Sequence, residues 1–222
     1  MSSIKSSASV GAGARGTRLG RRLAVVAGGG STEGERKMRN VHERKIAASV
    51  EDVGALLADV GRASDRLWPA HDWMPMTLDR PVGVGARGGH ADIRYSVIAY
   101  EPGRRVVFGF EPPTLLTGWH ALEVEPLPDG SALLRHVLEA QLHGAYRLLF
   151  PLVIRWIHDA VIEDLLDRAE MVVGRAPAQP AVWSPWVQLL RRLNGMPGPQ
   201  IARQARGLLT APRRGKGLPS AH

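Results

Sequence analysis

The chain has 222 residues, a formal net charge of +8 and no cysteine. This length suffices for one well-buried domain with additional tails, and the lack of cysteine excludes disulfides, thiol nucleophiles and cysteine-ligated metals. The positive charge lies at the ends: residues 1–37 carry seven Lys and Arg against two Asp and Glu, and residues 174–222 carry eight against none. Residues 38–173 carry 14 against 19. The central region is therefore acidic, and we expect no nucleic-acid binding by it.

This composition predicts three regions. Residues 1–37 are expected to form a disordered, basic Ser/Gly/Arg-rich tail, residues 38–174 a folded domain, and residues 175–222 a basic Pro/Gly-rich tail with a short amphipathic helix near residues 183–194. No apolar run reaches the roughly 20 residues of a bilayer span, and no export-signal cleavage pattern is present. We therefore expect a cytoplasmic protein.

The segment near Trp183 and Trp186 is followed by two arginines, a pattern that can lie at a membrane surface. A helix that docks on the domain, or one that is only weakly ordered, is the favoured interpretation, and peripheral membrane contact is the alternative.

The first predicted elements of the domain are a strand and a short helix. Residues 41–47 alternate between apolar and polar side chains, as in a strand. Ser49 offers an N-cap hydroxyl, and Val53, Leu56 and Val60 follow at helical spacing. The Trp- and Pro-rich stretch over residues 65–76 is too interrupted by proline for one regular element.

Residues 93–111 predict a β-hairpin around Pro102-Gly103. Pairing Glu101 with Arg104 sets Tyr95 opposite Phe110 and Val97 opposite Phe108. The inward-facing positions of both strands then coincide, so this register is self-consistent.

Residues 118–140 predict a second hairpin, which places two histidines among apolar residues. His120 alternates with Leu122 and Val124, and His136 alternates with Leu134 and Leu138. A three-residue loop over residues 127–129 sets the two histidines directly opposite each other, with Cβ atoms roughly 5 Å apart.

Residues 147–172 predict a long amphipathic helix, with Pro151 in its first turn or at a nearby kink. One face carries apolar residues at helical spacing, while Asp159, Glu163 and Glu170 lie on the opposite side. Asp159 and Glu163 share this face at one-turn spacing, and we interpret them as a solvated charge run rather than as paired catalytic acids.

The order of strand, helix, antiparallel strands and long C-terminal helix predicts an α+β domain in which the last helix covers a curved sheet. The stretches "VHERKIAASVEDVGALLADV", "IRYSVIAYEPGRRVVFGFE", "GWHALEVEP" and "LLRHVLEA" resemble the START-like, polyketide cyclase/dehydrase (SRPBCC) superfamily over roughly residues 41–173. The resemblance implies a helix-grip fold with a cavity between sheet and helix that holds a hydrophobic small molecule. It carries no invariant catalytic signature.

Six residues are predicted to bind this hydrophobic or aromatic ligand, because the hairpins and the helix direct them into the cavity: Tyr95, Phe108, Phe110, His120, His136 and His158. The histidines form a polar end of an apolar pocket and can bind a carbonyl or hydroxyl group. The alternative is that His120 and His136 are structural residues, hydrogen-bonded to neighbouring backbone, to Tyr95 or to water, and that His158 only packs at the apolar edge of its helix.

No metal or other cofactor is predicted. Three histidines could hold zinc, but they come from separate elements and lack a close-spaced pair. The "GVGARG" stretch at residues 83–88 fits a dinucleotide pattern, yet it leads into a strand rather than a helix.

Three functions stay open at this point. The leading hypothesis is binding of a lipid- or polyketide-like molecule. The second is a cyclase, aromatase or dehydratase that uses His120 or His136 as general acid/base. The third is an interaction protein in which the basic tails contact nucleic acid or membrane.

Overall fold

The computed structural model describes residues 18–26, 37–174, 176–177 and 179–196, with side chains described from residue 37 onwards. Its eight strands form one antiparallel sheet in the order β1-β2-β8-β7-β6-β5-β4-β3. The strands are β1 (Arg18–Val26), β2 (Lys37–Ile46), β3 (Thr77–Leu78), β4 (Arg87–His90), β5 (Ile93–Glu101), β6 (Arg105–Glu111), β7 (Leu116–Pro126) and β8 (Ala132–Leu142).

Four α-helices accompany the sheet: α1 (Val50–Ala55), α2 (Tyr146–Leu149), α3 (Arg155–Val172) and α4 (Pro185–Leu193). A π-helical segment, Phe150–Ile154, joins α2 to α3 around Pro151, which has no N–H to donate. A curved antiparallel sheet with a long C-terminal helix confirms the predicted α+β architecture.

Helix α1 begins where Ser49 was expected to cap it. The Ser49 hydroxyl accepts a hydrogen bond from the backbone N–H of Asp52 at 3.1 Å. A Cβ added to Gly54 would lie 2.2 Å from the carbonyl oxygen of Gly103, so only glycine permits this approach of α1 to the β5–β6 turn.

The main core lies between the sheet and α3. Tyr95, Phe108 and Leu134 are fully buried from the sheet side, and Leu165 and Leu166 from the helix side. The inward alternation predicted for both hairpins therefore matches the observed burial.

The predicted register of the first hairpin is correct at its open end only. Tyr95 lies opposite Phe110 and Val97 opposite Phe108, but Glu101 pairs with Arg105 rather than with Arg104. A bulge between Val97 and Ala99 shifts the pairing by one residue.

The predicted register of the second hairpin is wrong by two positions. Pro126 pairs with Ala132 across a five-residue loop, so His120 lies opposite Leu138 and His136 opposite Leu122. A short polar turn explains the longer loop, because Asp129 accepts a hydrogen bond from the backbone N–H of Ser131 at 3.2 Å. A shift of two positions conserves the face, so both histidines still point inward.

The interpretation of the helix acids as a solvated charge run is wrong. Asp159, Glu163 and Glu170 are each buried to about 95%. They face strand β2, whose residues Asn40, His42 and Arg44 alternate onto the same side, so the helix is covered on this face as well. The pattern of β2 carried the signal, because three polar residues at every second position match acids spaced along a helix.

The two predicted tails are only partly described. Strand β1 pairs with β2 inside the segment expected to be disordered, because the edge of β2 offers unpaired backbone groups to a neighbouring strand. Helix α4 forms within the predicted residues 183–194. The remaining tail residues lie outside the described part of the chain, so the disorder predicted for them stays a prediction, as does the domain boundary at 174.

Candidate functional site

A cavity of about 270 Å³ lies between the sheet and the helical segment after β8. Its wall is largely apolar and includes residues from the strands, from the Trp-rich connector and from α3. Representative lining residues are Leu67, Trp68, Met76, Phe108, Phe110, Leu116, Leu122, Leu138, Phe150, Ile157, Val161 and Leu165. Exposed residues Met74, Asp92 and Asn194 also line it, so the cavity reaches the protein surface there.

Five of the six predicted ligand-binding residues line this cavity: Phe108, Phe110, His120, His136 and His158. Tyr95 does not belong to its wall. The Tyr95 ring is fully buried behind His120, at 5.1 Å between ring centroids. Its hydroxyl lies 3.2 Å from Nδ1 of His90, which does line the cavity.

His120 stands between aromatic side chains at the sheet face of the cavity. Its ring stacks on Phe108 at 4.8 Å and on Phe110 at 5.3 Å between centroids. The three residues come from neighbouring strands, because Phe108 lies opposite His120 in the pairing of β6 with β7. These contacts hold the imidazole in a fixed orientation.

His136 and His158 continue the row of imidazoles across the cavity. The ring centroids of His120 and His136 are 5.6 Å apart, and those of His136 and His158 are 5.1 Å apart. Strand β8 supplies His136 and helix α3 supplies His158, so the row connects the sheet to the helix.

Each of these three histidines has a buried ring nitrogen without a hydrogen-bond partner among the described residues. The atoms are Nε2 of His120, Nδ1 of His136 and Nδ1 of His158. A buried polar atom that makes no hydrogen bond costs about 1–3 kcal/mol, and such atoms are uncommon in native proteins.

Burial lowers the pKa of His120 and of His136 well below the usual value of histidine, and the neighbouring imidazoles lower both further. Burial likewise lowers the pKa of His158, and it lowers the pKa of His90 to about 4. These rings are therefore neutral at pH 7, and each can donate one hydrogen bond and accept another.

Sequence reasoning missed the polar interface between β2 and α3. Nδ1 of His42 lies 3.0 Å from Glu163 Oε1, and its Nε2 lies 3.1 Å from Asp159 Oδ1. Burial alone would lower the pKa of His42, but the two hydrogen-bonded carboxylates outweigh it and raise the pKa. Arg44 binds Glu163, Asp167 and Glu170 at 2.6–3.2 Å.

The C-terminal clasp, formed by Trp73, Asp164, Trp183 and Arg191, fixes the segment around α4 to the domain. Both indole N–H groups donate to Asp164 Oδ2, at 2.7 Å from Trp73 and 2.8 Å from Trp183. The Arg191 guanidinium lies over both rings, 4.3 Å and 3.8 Å from their centroids. Residues 194 and 196, which follow α4, line the cavity.

This geometry supports docking of the segment on the domain. The buried residues of α4 are Val187, Leu190 and Arg191, while Leu193 is 73% exposed. Among the described residues, no helix is long and apolar enough to cross a membrane.

Comparison with solved structures identifies the fold. The protein EF2215 from Enterococcus faecalis, a conserved protein of unknown function, superimposes with a TM-score of 0.50 at 12% identity, over 80% of this chain and 92% of that protein. The chain has a helix-grip fold. This is the fold of the START-like (SRPBCC) superfamily that the sequence resemblance implied.

Two further solved structures match with lower TM-scores. CalU16 from Micromonospora echinospora gives a TM-score of 0.46 at 14% identity, over 81% of this chain and 93% of its own. Truncated norcoclaurine synthase from Thalictrum flavum gives 0.49 at 14% identity, over 65% of this chain and 99% of its own. No protein-family profile and no curated protein matches the sequence.

Proposed function

We propose that the protein binds a neutral, hydrophobic small molecule that carries a hydroxyl or carbonyl group. The observation that carries this proposal is the combination of an apolar cavity with unpartnered imidazole nitrogens of His120 and His136 in its wall. Natural ligand sites share this design, in which apolar walls provide affinity and a few polar groups fix orientation.

The size and composition of the cavity define the ligand class. A volume of about 270 Å³ is near the lower end of small-molecule pockets, so a compact ligand of a few rings or a short chain fits best. No Lys or Arg occurs among the described residues that line the cavity. An anionic ligand would therefore be desolvated without a compensating cation, which is costly.

The polar end of the ligand follows from the protonation of the histidines. A neutral imidazole both donates and accepts a hydrogen bond. A hydroxyl group can use either role, whereas a carbonyl oxygen needs the N–H of the ring. Either group would supply a partner for a nitrogen that lacks one, and this would contribute to binding.

Three probes of the same shape test this proposal: naphthalene, 2-naphthol and 2-naphthoate, with binding measured by calorimetry. The expected order of affinity is 2-naphthol, then naphthalene, then 2-naphthoate. The His136→Leu substitution should weaken 2-naphthol binding by about 1–3 kcal/mol and leave naphthalene binding unchanged.

The matched control is His143→Leu, because His143 is exposed and does not line the cavity. This variant should bind all three probes as the wild type does. Equal affinity of the wild type for naphthalene and 2-naphthol would contradict a polar recognition site. Native mass spectrometry of the freshly purified protein then searches for the natural ligand.

An enzymatic role rests on the same imidazoles. Because His120 and His136 are unprotonated at neutral pH, either can accept a proton from a bound substrate as general base. A cyclase, aromatase or dehydratase reaction is the second candidate function, and turnover of a co-purified ligand separates it from simple binding.

A further inference from the structure

We propose that His42, His158 and Asp159 form a binding site for one divalent transition-metal ion at the edge of the cavity. Three potential ligand atoms converge there, one from each residue, and all lie within 4.8 Å of one another. Among the described residues this is the one group of three or more such side chains that meets this spacing. The site does not depend on the proposed small-molecule ligand.

Two of the three separations between ligand atoms are close to those around a bound ion, and the third is at most 4.8 Å. Metal–ligand bonds of about 2.0–2.2 Å place the ligand atoms of a tetrahedral ion roughly 3.3–3.5 Å apart. Oδ1 of Asp159 lies 3.1 Å from His42 Nε2 and 3.7 Å from His158 Nδ1, on either side of that spacing. Strand β2 and helix α3 carry these residues, so rigid elements hold the site.

A second observation points to an absent partner. Nδ1 of His158 is buried and makes no hydrogen bond within the described part of the chain, since 3.7 Å to Asp159 exceeds hydrogen-bond length. A metal ion at the centre of the three atoms would satisfy this nitrogen.

The surrounding hydrogen bonds also match those of metal sites. A metal-bound histidine usually donates its other ring N–H to a carboxylate or carbonyl group, and its carboxylate neighbours are themselves hydrogen-bonded. Nδ1 of His42 lies 3.0 Å from Glu163 Oε1, and the Asn40 amide donates to Asp159 Oδ1 at 2.8 Å. Glu163 and Asn40 would therefore orient His42 and Asp159 as metal ligands.

The ligand types indicate the class of ion. Two imidazoles and one carboxylate suit zinc and ferrous iron, whereas calcium and magnesium prefer oxygen ligands alone. Three protein ligands leave at least one position for water or for an oxygen of a bound molecule. Because His158 also lines the cavity, the ion would lie beside the small-molecule site.

The test titrates the full-length protein, freed of metal by a chelator, with Co²⁺ while the visible absorption spectrum is recorded. One Co²⁺ per chain should bind with the absorption bands of nitrogen ligation, and Zn²⁺ should displace it. The His158→Gln and Asp159→Asn substitutions should each weaken Co²⁺ binding at least tenfold. His71→Gln, which alters an exposed histidine, should bind Co²⁺ as the wild type does.

Thermal melting in the presence of chelator identifies any variant that fails to fold. Co²⁺ binding by the other variant, His158→Gln or Asp159→Asn, then tests the proposal. A wild-type protein without Co²⁺ absorption bands would overturn the proposal and leave His42 as a purely structural ion-pair partner. Unchanged affinity in a folded His158→Gln or Asp159→Asn variant would also overturn it.

Discussion

The two faces of helix α3 solve the burial of polar groups in opposite ways. Towards strand β2, the helix presents carboxylates that are hydrogen-bonded to His42 and Arg44. Towards the cavity, the neighbouring imidazoles retain nitrogens without partners in an apolar wall. Both faces of α3 are buried, one against strand β2 and the other against the cavity.

This difference separates architecture from recognition. A buried polar group that is hydrogen-bonded across an interface fixes the position of one element on another, although it adds little net stability. A buried polar group without a partner costs stability, and in a cavity wall it is available to a molecule that binds there. The face paired with β2 therefore positions α3, and the face towards the cavity belongs to the candidate small-molecule site.

The largest expected effect comes from breaking the paired face with Arg44→Met. This change leaves the carboxylates of Asp167 and Glu170 buried without their guanidinium partner. Loss of one member of a buried ion pair typically costs about 3–5 kcal/mol, and denaturant unfolding measures it. Arg39→Met is the matched control, because its pair with Glu139 is 43% exposed on both sides. It should change the free energy of unfolding by less than about 1 kcal/mol.

A chain that ends at residue 174 tests whether the clasp belongs to the domain. If residues 175–222 were only an accessory tail, the melting transition would be unchanged. The buried contacts of Val187 and Leu190 instead lead us to expect a loss of about 3 kcal/mol in the free energy of unfolding. Calorimetry checks this, and an undiminished cooperative transition would restore the boundary at 174.

The same substitution, made once beside each face of α3, gives the sharpest comparison of their contributions to stability. His42→Leu removes the partner of Asp159 and Glu163 and should destabilise the protein by about 2 kcal/mol. His136→Leu removes an unpaired nitrogen and should leave stability within about 1 kcal/mol or raise it. Both are measured by urea unfolding in the presence of chelator. A larger loss for His136→Leu than for His42→Leu would contradict the distinction between the two faces.

The smallest effect on the free energy of unfolding is expected at Asp164. Two indoles donate hydrogen bonds to this carboxyl, but they do not fully offset the cost of burying its charged form. Burial raises the pKa of this carboxyl to about 6 in the folded protein, whereas its value in the unfolded chain is near 4. Between pH 4 and pH 6 the folded state therefore binds the proton more tightly than the unfolded state does. The stability from this group is full below pH 4 and is lost as the pH rises to 6.

Asp164→Asn keeps an acceptor for the indoles and removes this titration. As the pH rises from 4 to 7, the free energy of unfolding of this variant should increase by about 1–2 kcal/mol relative to that of the wild type. Melting curves of both proteins across this pH range measure the difference. Parallel curves would show that the carboxyl titrates normally in the folded protein.

Alternation along the strands was sufficient to predict the face of each hairpin residue. Tyr95 and Phe108 are buried as expected, because they lie where the predicted pairing of the first hairpin is correct. His136 is buried as well, because the shift of two positions in the second hairpin leaves side-chain direction unchanged. Exact pairing could not be predicted, because it depends on the bulge near Ile98 and on the polar turn at Asp129.

The helix acids could not be placed by periodicity alone. Asp159 and Glu163 share a polar face in the sequence, and a polar face normally points to solvent. Their burial depends on which side of strand β2 faces the helix, and this is a tertiary arrangement. The failure of Tyr95 to reach the cavity has a similar cause, since His120 lies in front of it.

The clasp also sets an order of events during synthesis. Residues 194 and 196 contribute to the cavity wall, and they leave the ribosome after the whole sheet and helix α3. A nascent chain therefore passes through a stage in which the sheet and α3 can already be formed while this wall is missing. The cavity is complete only after the clasp has formed.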